Sequence, residues 1–346
     1  MYLFHIREAD YRHLIRAENL ADGVEGRNPA PFVRAEVADF DGDAIDDVVL
    51  SSDRQSLVFD LDQGGSLVEW DFRPAACNLL NVLTRRREGY HRDLLEAAAA
   101  GKVITPDMDP EREKLESIHT GLVRAREPDL HQKLIYDWHR RASLLDHFLG
   151  ERADLGRFYR SQHEESGDFV NQPYEAEVAA QEGEVLLTLR REGHVWQGAV
   201  RLPVTVEKRV TLRPASDRLE VAYTVTNGES GELNTRFGVE ANWGLAGGHE
   251  EHTYLTVGFA RYRLTEIAAD DEVEDYTLTS ELWGIEVHVD TDRPASMWRF
   301  PLETVSASEA GFERNYQGTT LLLWWPLRLS PGQQWRVSLA FTLRQV

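Results

Sequence analysis

Apolar and polar positions follow two rhythms along this chain. Over residues 3–20, Leu3, Ile6, Tyr11, Leu14 and Ile15 share one face of a 3.6-residue period, with Arg7, Glu8, Arg12 and Arg16 largely opposite. That spacing predicts an amphipathic helix. From Phe32 to Glu69 the period becomes two: Val33, Ala35 and Val37 alternate with Arg34 and Glu36, and VVL, SLVFDL and SLVEWDF follow between Asp/Gly turns. Gly64-Gly65 falls between two of these strands and reads as a hairpin turn. Residues 74–150 return to helical spacing, first in NLLNVLTRRREGYHRDLLEAAAAG up to Gly101. KLESIHTGLVRAREPDL and KLIYDWHRRASLLDHFLGE come next, with Pro128 as a breaker. From about Arg157 to Val346 two-residue alternation resumes in VLLTLRREG, VTVEKRVTLRP, RLEVAYTVTNG, TLLLWWPLRLSPG and WRVSLAFTL. Strands of this number, joined by short Gly/Asn/Asp/Pro turns, predict a mainly β fold, a large antiparallel sandwich. The expected layout is an N-terminal linker helix over 1–22 and one sandwich domain over 23–346, with a helical insertion at about 74–150.

Composition narrows the class. Apolar residues at 42% suffice for a core, so the chain is not disordered. A net charge of −21 opposes nucleic acid and anionic membrane as partners, since both select a basic surface. The lone Cys77 excludes an intramolecular disulfide and suits a reducing cytoplasm. Charges from Arg7 onward interrupt the start, so it does not read as a signal peptide, and no run of about 20 apolar residues predicts a membrane span.

Candidate chemistry concentrates at VADFDGDAIDDVVL. Asp39, Asp41, Asp43 and Asp47 occupy positions 1, 3, 5 and 9 of a D-x-D-G-D-x-x-x-D loop, a spacing that converges oxygen ligands for a structural Ca²⁺. Position 6, which favours glycine for a left-handed turn, is Ala44, and position 12 is Leu50, where a helix–loop–helix site has a bidentate glutamate. An acidic hairpin turn facing water is the alternative. His249 and His252 in GGHEEHTYL are one residue too close for the HExxH zinc motif and read as a solvated loop. Glu240 in FGVEANW is a carboxylate set in an apolar strand beside Trp243; it fits sugar contact, and equally a buried glutamate paired with an arginine. Trp243 and Trp298, with Trp283, Trp324 and Trp325, offer flat faces for sugar rings, although most strand tryptophans are core. No G-x-S-x-G, P-loop or C-x-x-C occurs.

Three long segments, RPAACNLLNVLTRRREGYH (73–91), YDWHRRASLLDHFL (136–149) and FPLETVSASEAGFERNYQG (300–318), resemble the C-terminal region of glycoside hydrolase family 57, the α-amylases and 4-α-glucanotransferases. RFGVEANWGLAGG (236–248), the acidic loop and the leading HIREADYRHLIRAE fit the same colinear pattern. The resemblance implies a galactose-mutarotase-like super-sandwich. In that family a glutamate nucleophile and an aspartate acid/base lie in an N-terminal barrel, and nothing here resembles a barrel, so no catalytic residue is carried over. The expected function is a non-catalytic module that supports, or binds α-glucan for, a family 57 catalytic domain. A homodimer through the leading helix is a further expectation. Two alternatives stay open: an independent mutarotase-like sugar epimerase, and an inactive truncated remnant.

Overall fold

Strict alternation builds the strands that carry this fold. In RLEVAYTVTN, Leu219, Val221, Tyr223 and Val225 are buried while the residues between them are partly or fully exposed. The computed structural model describes residues 3–24, 31–105, 122–181, 183–245 and 251–346. The first half contains α1 (Phe4–Val24), β1 (Val33–Ala38), β2 (Asp47–Ser52), β3 (Gln55–Asp60), β4 (Ser66–Phe72), β5 (Cys77–Asn78), α2 (His91–Ala99), β6 (Val103–Ile104) and β7 (Val123–Arg124). A 3₁₀ turn (Leu130–Lys133), β8 (Leu145–Leu149), α3 (Leu155–Tyr159), β9 (Glu175–Gln181), β10 (Glu184–Gln197), β11 (Val200–Leu212) and β12 (Arg218–Asn227) follow. The chain closes with β13 (Leu233–Trp243), β14 (Thr253–Val257), β15 (Ala260–Arg263), β16 (Ala268–Ser280), β17 (Ile285–Ser308), β18 (Gly311–Leu329) and β19 (Gln334–Gln345).

β1 to β5 form an antiparallel sheet in chain order. A 12-stranded antiparallel sheet runs β15-β14-β16-β17-β19-β12-β11-β10-β9, with a branch in which β18 pairs β17 and β13, and β13 pairs β8. The inner faces of the two sheets share one core, with Val48, Leu57, Phe59 and Trp70 from the first and Tyr223, Phe237, Trp243 and Phe341 from the second. Trp70 lies 6.0 Å from Trp243 and edge-on to Phe341 at 5.4 Å. Each such buried side chain contributes about 1.5–3 kcal/mol.

The Gly64-Gly65 turn forms as expected, both glycines at positive φ (82° and 51°). A Cβ on Gly64 would stand 2.4 Å from the Val170 carbonyl oxygen, so only glycine fits. Lys208, fully buried on β11, clamps this turn: its Nζ donates to the carbonyls of Gly64 (2.8 Å), Gly65 (3.0 Å) and Leu144 (2.8 Å) and pairs with Asp146 at 3.1 Å.

The insertion at 74–150 requires a correction. Its helix is α2, ended at Gly101 (φ 66°) as its sequence predicts, and residues 106–121 lie outside the described part. Neither NLLNVL nor YDWHRRASLLDHFL is helical: the first is turn and irregular backbone after β5, and the second is irregular up to Leu144 (φ 59°) and then forms β8. All five residues of β8 are buried, Asp146 and His147 included, so LDHFL shows none of the wet-and-dry alternation that would mark it as a strand. Around NLLNVL the backbone bonds go to tertiary partners: Leu79 O accepts from Gly244 N at 2.7 Å, and Arg7 Nη2 donates to Asn81 O at 3.3 Å.

α1 rests on this segment. Ile15 is buried, Phe4 stacks on Trp283 (6.0 Å, 20°), and Arg7 donates to Asn81 Oδ1 (2.8 Å) and Gln317 Oε1 (2.9 Å). Its other side leaves Leu14 61% and Leu20 70% exposed. Among the described residues no helix is long and apolar enough to cross a membrane.

Candidate functional site

Backbone pairing of β8 with β13 sets Leu145 opposite Glu240 and His147 opposite Gly238, and the irregular segment before β8 brings Asp137, His139 and Arg141 to the same place. A chain of alternating charges results. Arg85 Nη2 and Arg141 Nη2 donate to Asp137 Oδ1 at 2.6 and 2.7 Å. Arg141 Nη1 and Asn242 Nδ2 donate to Glu240 Oε1 at 3.0 and 2.7 Å. His139 Nε2 and His147 Nε2 meet Glu240 Oε2 at 3.0 and 2.9 Å, and His147 Nδ1 meets Glu165 Oε2 at 2.7 Å. Asp137, His139, Arg141, His147 and Glu240 have no exposed side-chain surface.

Both partners of His147 are carboxylates, which when ionised can only accept, so both ring nitrogens donate and the ring is an imidazolium. Burial alone would discharge it, but Glu165 and Glu240 outweigh burial and raise its pKa to about 9. His139 goes the other way: burial, reinforced by Arg141 and His147 against the pull of Glu240, lowers it to about 4. Burial would raise the acid groups too, yet Arg141 and the imidazoles hold Glu240 well below its ordinary range, and His147 brings Glu165 to about 2. Asp137 is likewise held low, by Arg141 and Arg85 against burial. Three cations, Arg85, Arg141 and His147, thus face three anions, Asp137, Glu240 and Glu165, and the cluster neutralises itself.

One end of this cluster reaches a cleft of about 500 Å³, lined by Trp138, His163, Glu165, Asp168, Asn171 and Gln172 among others. Trp138 is 42% exposed, its ring 5.7 Å from that of His163, which in turn packs on Phe158 at 4.3 Å. A flat indole beside carboxylate and amide groups matches the apolar face and hydroxyl rim of a sugar ring.

The residues picked from the sequence fall differently. Glu240 and Trp243 are fully buried and Trp298 nearly so. Trp243 packs on Trp70 and Phe341, and Trp298 on Phe158 and Trp324, so none of the three offers a face to a sugar. This corrects the sugar-contact role expected for them; for Glu240 the arginine-paired alternative is the one observed. Trp138 passed unnoticed because it lies outside any alternating run, between charged residues, although it stands within the 136–149 segment.

The acidic loop connects β1 and β2 and lies far into solvent. Asp39, Asp41 and Asp43 bring one carboxylate oxygen each within 4.8 Å of one another, and Ala44 holds the left-handed conformation (φ 73°) that its position demands. Asp39 accepts from Gly42 N (2.8 Å) and Ala44 N (3.1 Å), and the mostly buried Asp47 accepts from Phe40 N (3.1 Å). Hard oxygen donors in this arrangement fit Ca²⁺. His249 lies outside the described residues; His252 is exposed beside Glu281 (3.0 Å).

The layered, branched sheet is a galactose-mutarotase-like super-sandwich. It superposes on a galactose mutarotase-like protein from Clostridium acetobutylicum with a TM-score of 0.53 over 92% of this chain and all of that one, at 9% identity, a likeness of fold alone. The family described as alpha-amylase/4-alpha-glucanotransferase, C-terminal, matches residues 39–339, and the chain belongs to it. Alpha-amylase 1 of Dictyoglomus thermophilum is 30% identical over 99% of this chain and 46% of its own length. The 4-alpha-glucanotransferase of Thermococcus litoralis is 30% identical over 94% of this chain and 43% of its own. The crystal structure of the latter matches with a TM-score of 0.72 at 25% identity, covering 99% of this chain and 42% of that one. The chain therefore spans under half the length of these relatives.

Proposed function

We propose that this chain is the non-catalytic sandwich module of a glycoside hydrolase family 57 α-amylase or 4-α-glucanotransferase, and that it supports a catalytic domain and holds α-glucan for it. The carrying observation is the family match over residues 39–339, in relatives more than twice as long. The open cleft at Trp138 supports the glucan-binding part. The exposed Leu14 and Leu20 of α1 support docking of a catalytic domain there, since apolar area is worth about 25 cal/mol per Å² when covered. The free, buried Cys77 agrees with a cytoplasmic setting. A self-neutralised, fully buried His139/His147/Glu240 group weighs against the epimerase alternative, because acid–base chemistry on a sugar needs such groups within reach of it. The test is incubation of the pure chain with maltooligosaccharides and inspection of the product ladder. An unchanged ladder is expected; turnover at ordinary enzyme rates contradicts a non-catalytic role.

We also propose that Asp39, Asp41, Asp43 and Asp47 bind Ca²⁺ as a brace between β1 and β2, supported by the converging oxygens of Asp39, Asp41 and Asp43 and by the left-handed Ala44. Melting temperature should rise with added Ca²⁺ and fall with chelator in the native chain. In Asp41→Ala it should respond to neither. Identical behaviour of both proteins contradicts the brace.

A further inference from the structure

We propose that His147, His163 and Glu165 form a binding site for a divalent transition cation of the zinc class, open to the Trp138 cleft. One ligand atom from each lies within 4.8 Å of the other two. His163 is the residue that points to a ligand. It is only 8% exposed, yet neither ring nitrogen has a hydrogen-bond partner, and its Nε2 faces Glu165 Oε2 at 3.7 Å, beyond hydrogen-bond range. A buried imidazole with no partner is costly unless something else satisfies it. Nothing in the cluster described above uses it.

The geometry around these three residues is that of a supported metal site. Tetrahedral zinc with bonds of about 2.0–2.1 Å sets its ligand atoms about 3.3 Å apart. The 3.7 Å between His163 and Glu165 is close to this, and the 2.7 Å between His147 Nδ1 and Glu165 opens to it by about half an ångström. The remaining ring nitrogen of His147 is bonded to the Glu240 carboxylate at 2.9 Å, the outer-shell contact that orients a ligating imidazole. Glu165 is also held, its Oε1 accepting from Phe148 N (2.8 Å) and Gly167 N (3.1 Å) while Oε2 faces the imidazoles. Two imidazoles and one carboxylate select zinc-like ions over Ca²⁺ or Mg²⁺. The cation takes the place of the proton on His147 Nδ1, so binding releases that proton. The group His139, His147 and Glu240 also converges, but Arg141 is bonded to its carboxylate and no solvent reaches it, so the cleft side is the site.

The test uses the full chain, stripped with chelator and titrated with Zn²⁺ by calorimetry, and with Co²⁺ followed by visible absorption. One Zn²⁺ per chain and a Co²⁺ spectrum of four-coordinate type with nitrogen ligands are expected. His163→Phe keeps the ring volume against Phe158 and removes both nitrogens, so it should fold and melt like the stripped native chain while binding Zn²⁺ about a hundredfold more weakly or worse. Glu165→Gln should weaken binding in the same sense. Absence of stoichiometric Zn²⁺ binding, or equal binding by native chain and a folded His163→Phe variant, overturns the proposal. So does a Co²⁺ spectrum of an all-oxygen, six-coordinate ion.

Discussion

Ala44 holds φ 73° at the sixth position of the acidic loop, where a side chain costs about 1–2 kcal/mol. Ala44→Gly should therefore raise stability by about 0.5–1 kcal/mol after the added unfolded-state freedom of glycine, read as a higher melting temperature. It should also tighten Ca²⁺ binding if the loop takes the ion. Lys208 gives a prediction of opposite sign: Lys208→Met leaves the buried Asp146 without its counter-cation, with only the Tyr174 hydroxyl donating to it, and removes the donor to three carbonyls, at a cost of about 3–5 kcal/mol in denaturant unfolding. At this scale the sequence disclosed single residues better than partners. Glu240 stands out as a charge in an apolar strand, but His139, Arg141 and His147 are 93 to 101 positions away from it, and no local pattern reports a pairing over that distance. His163 and Glu165 gave no signal because a loop carries neither periodicity.

α1 shows what a single element can and cannot announce. Its helical period was plain, and the buried Ile15 lies on the stripe that the period defines. Leu14, on the same predicted stripe, is exposed, because Arg7 and Asn19 anchor the helix through polar contacts that a hydrophobic pattern ignores. The uncovered leucines should drive association: light scattering of the full chain at high concentration is expected to show a dimer, or a complex when a catalytic domain of the family is added. Deletion of residues 1–22 should abolish both. A chain that is monomeric with and without the helix, and indifferent to that domain, contradicts the docking role. β8 was misread for a related reason. Alternation marks a strand with one wet face, and LDHFL has none.

For the whole molecule, the central cluster couples the two histidines to stability in opposite senses. His147 folds with its pKa raised from the ordinary 6.5 to about 9, so its contribution is complete below 6.5 and is lost as pH rises through 9. His139 folds with its pKa lowered to about 4, so the unfolded chain takes up a proton first as pH falls below 6.5, and stability drops toward 4. Glu240, held low, adds a loss in the same acid range. With chelator present, the melting temperature should peak near pH 6–7, and His147→Gln should flatten the alkaline side relative to the native chain. An alkaline limb of equal slope in both contradicts the imidazolium assignment. The fold class was legible throughout because alternation over residues 157–346 is set by which face is buried. The cleft was not, because it arises where distant segments, 136–149 and the loop after α3, come together. That cleft carries the claim that this sandwich holds α-glucan, and calorimetric titration with maltoheptaose tests it most directly. Saturable binding to the native chain, lost in Trp138→Ala with the melting temperature preserved, is the predicted result; absence of binding, or equal binding by the Trp138→Ala variant, contradicts it.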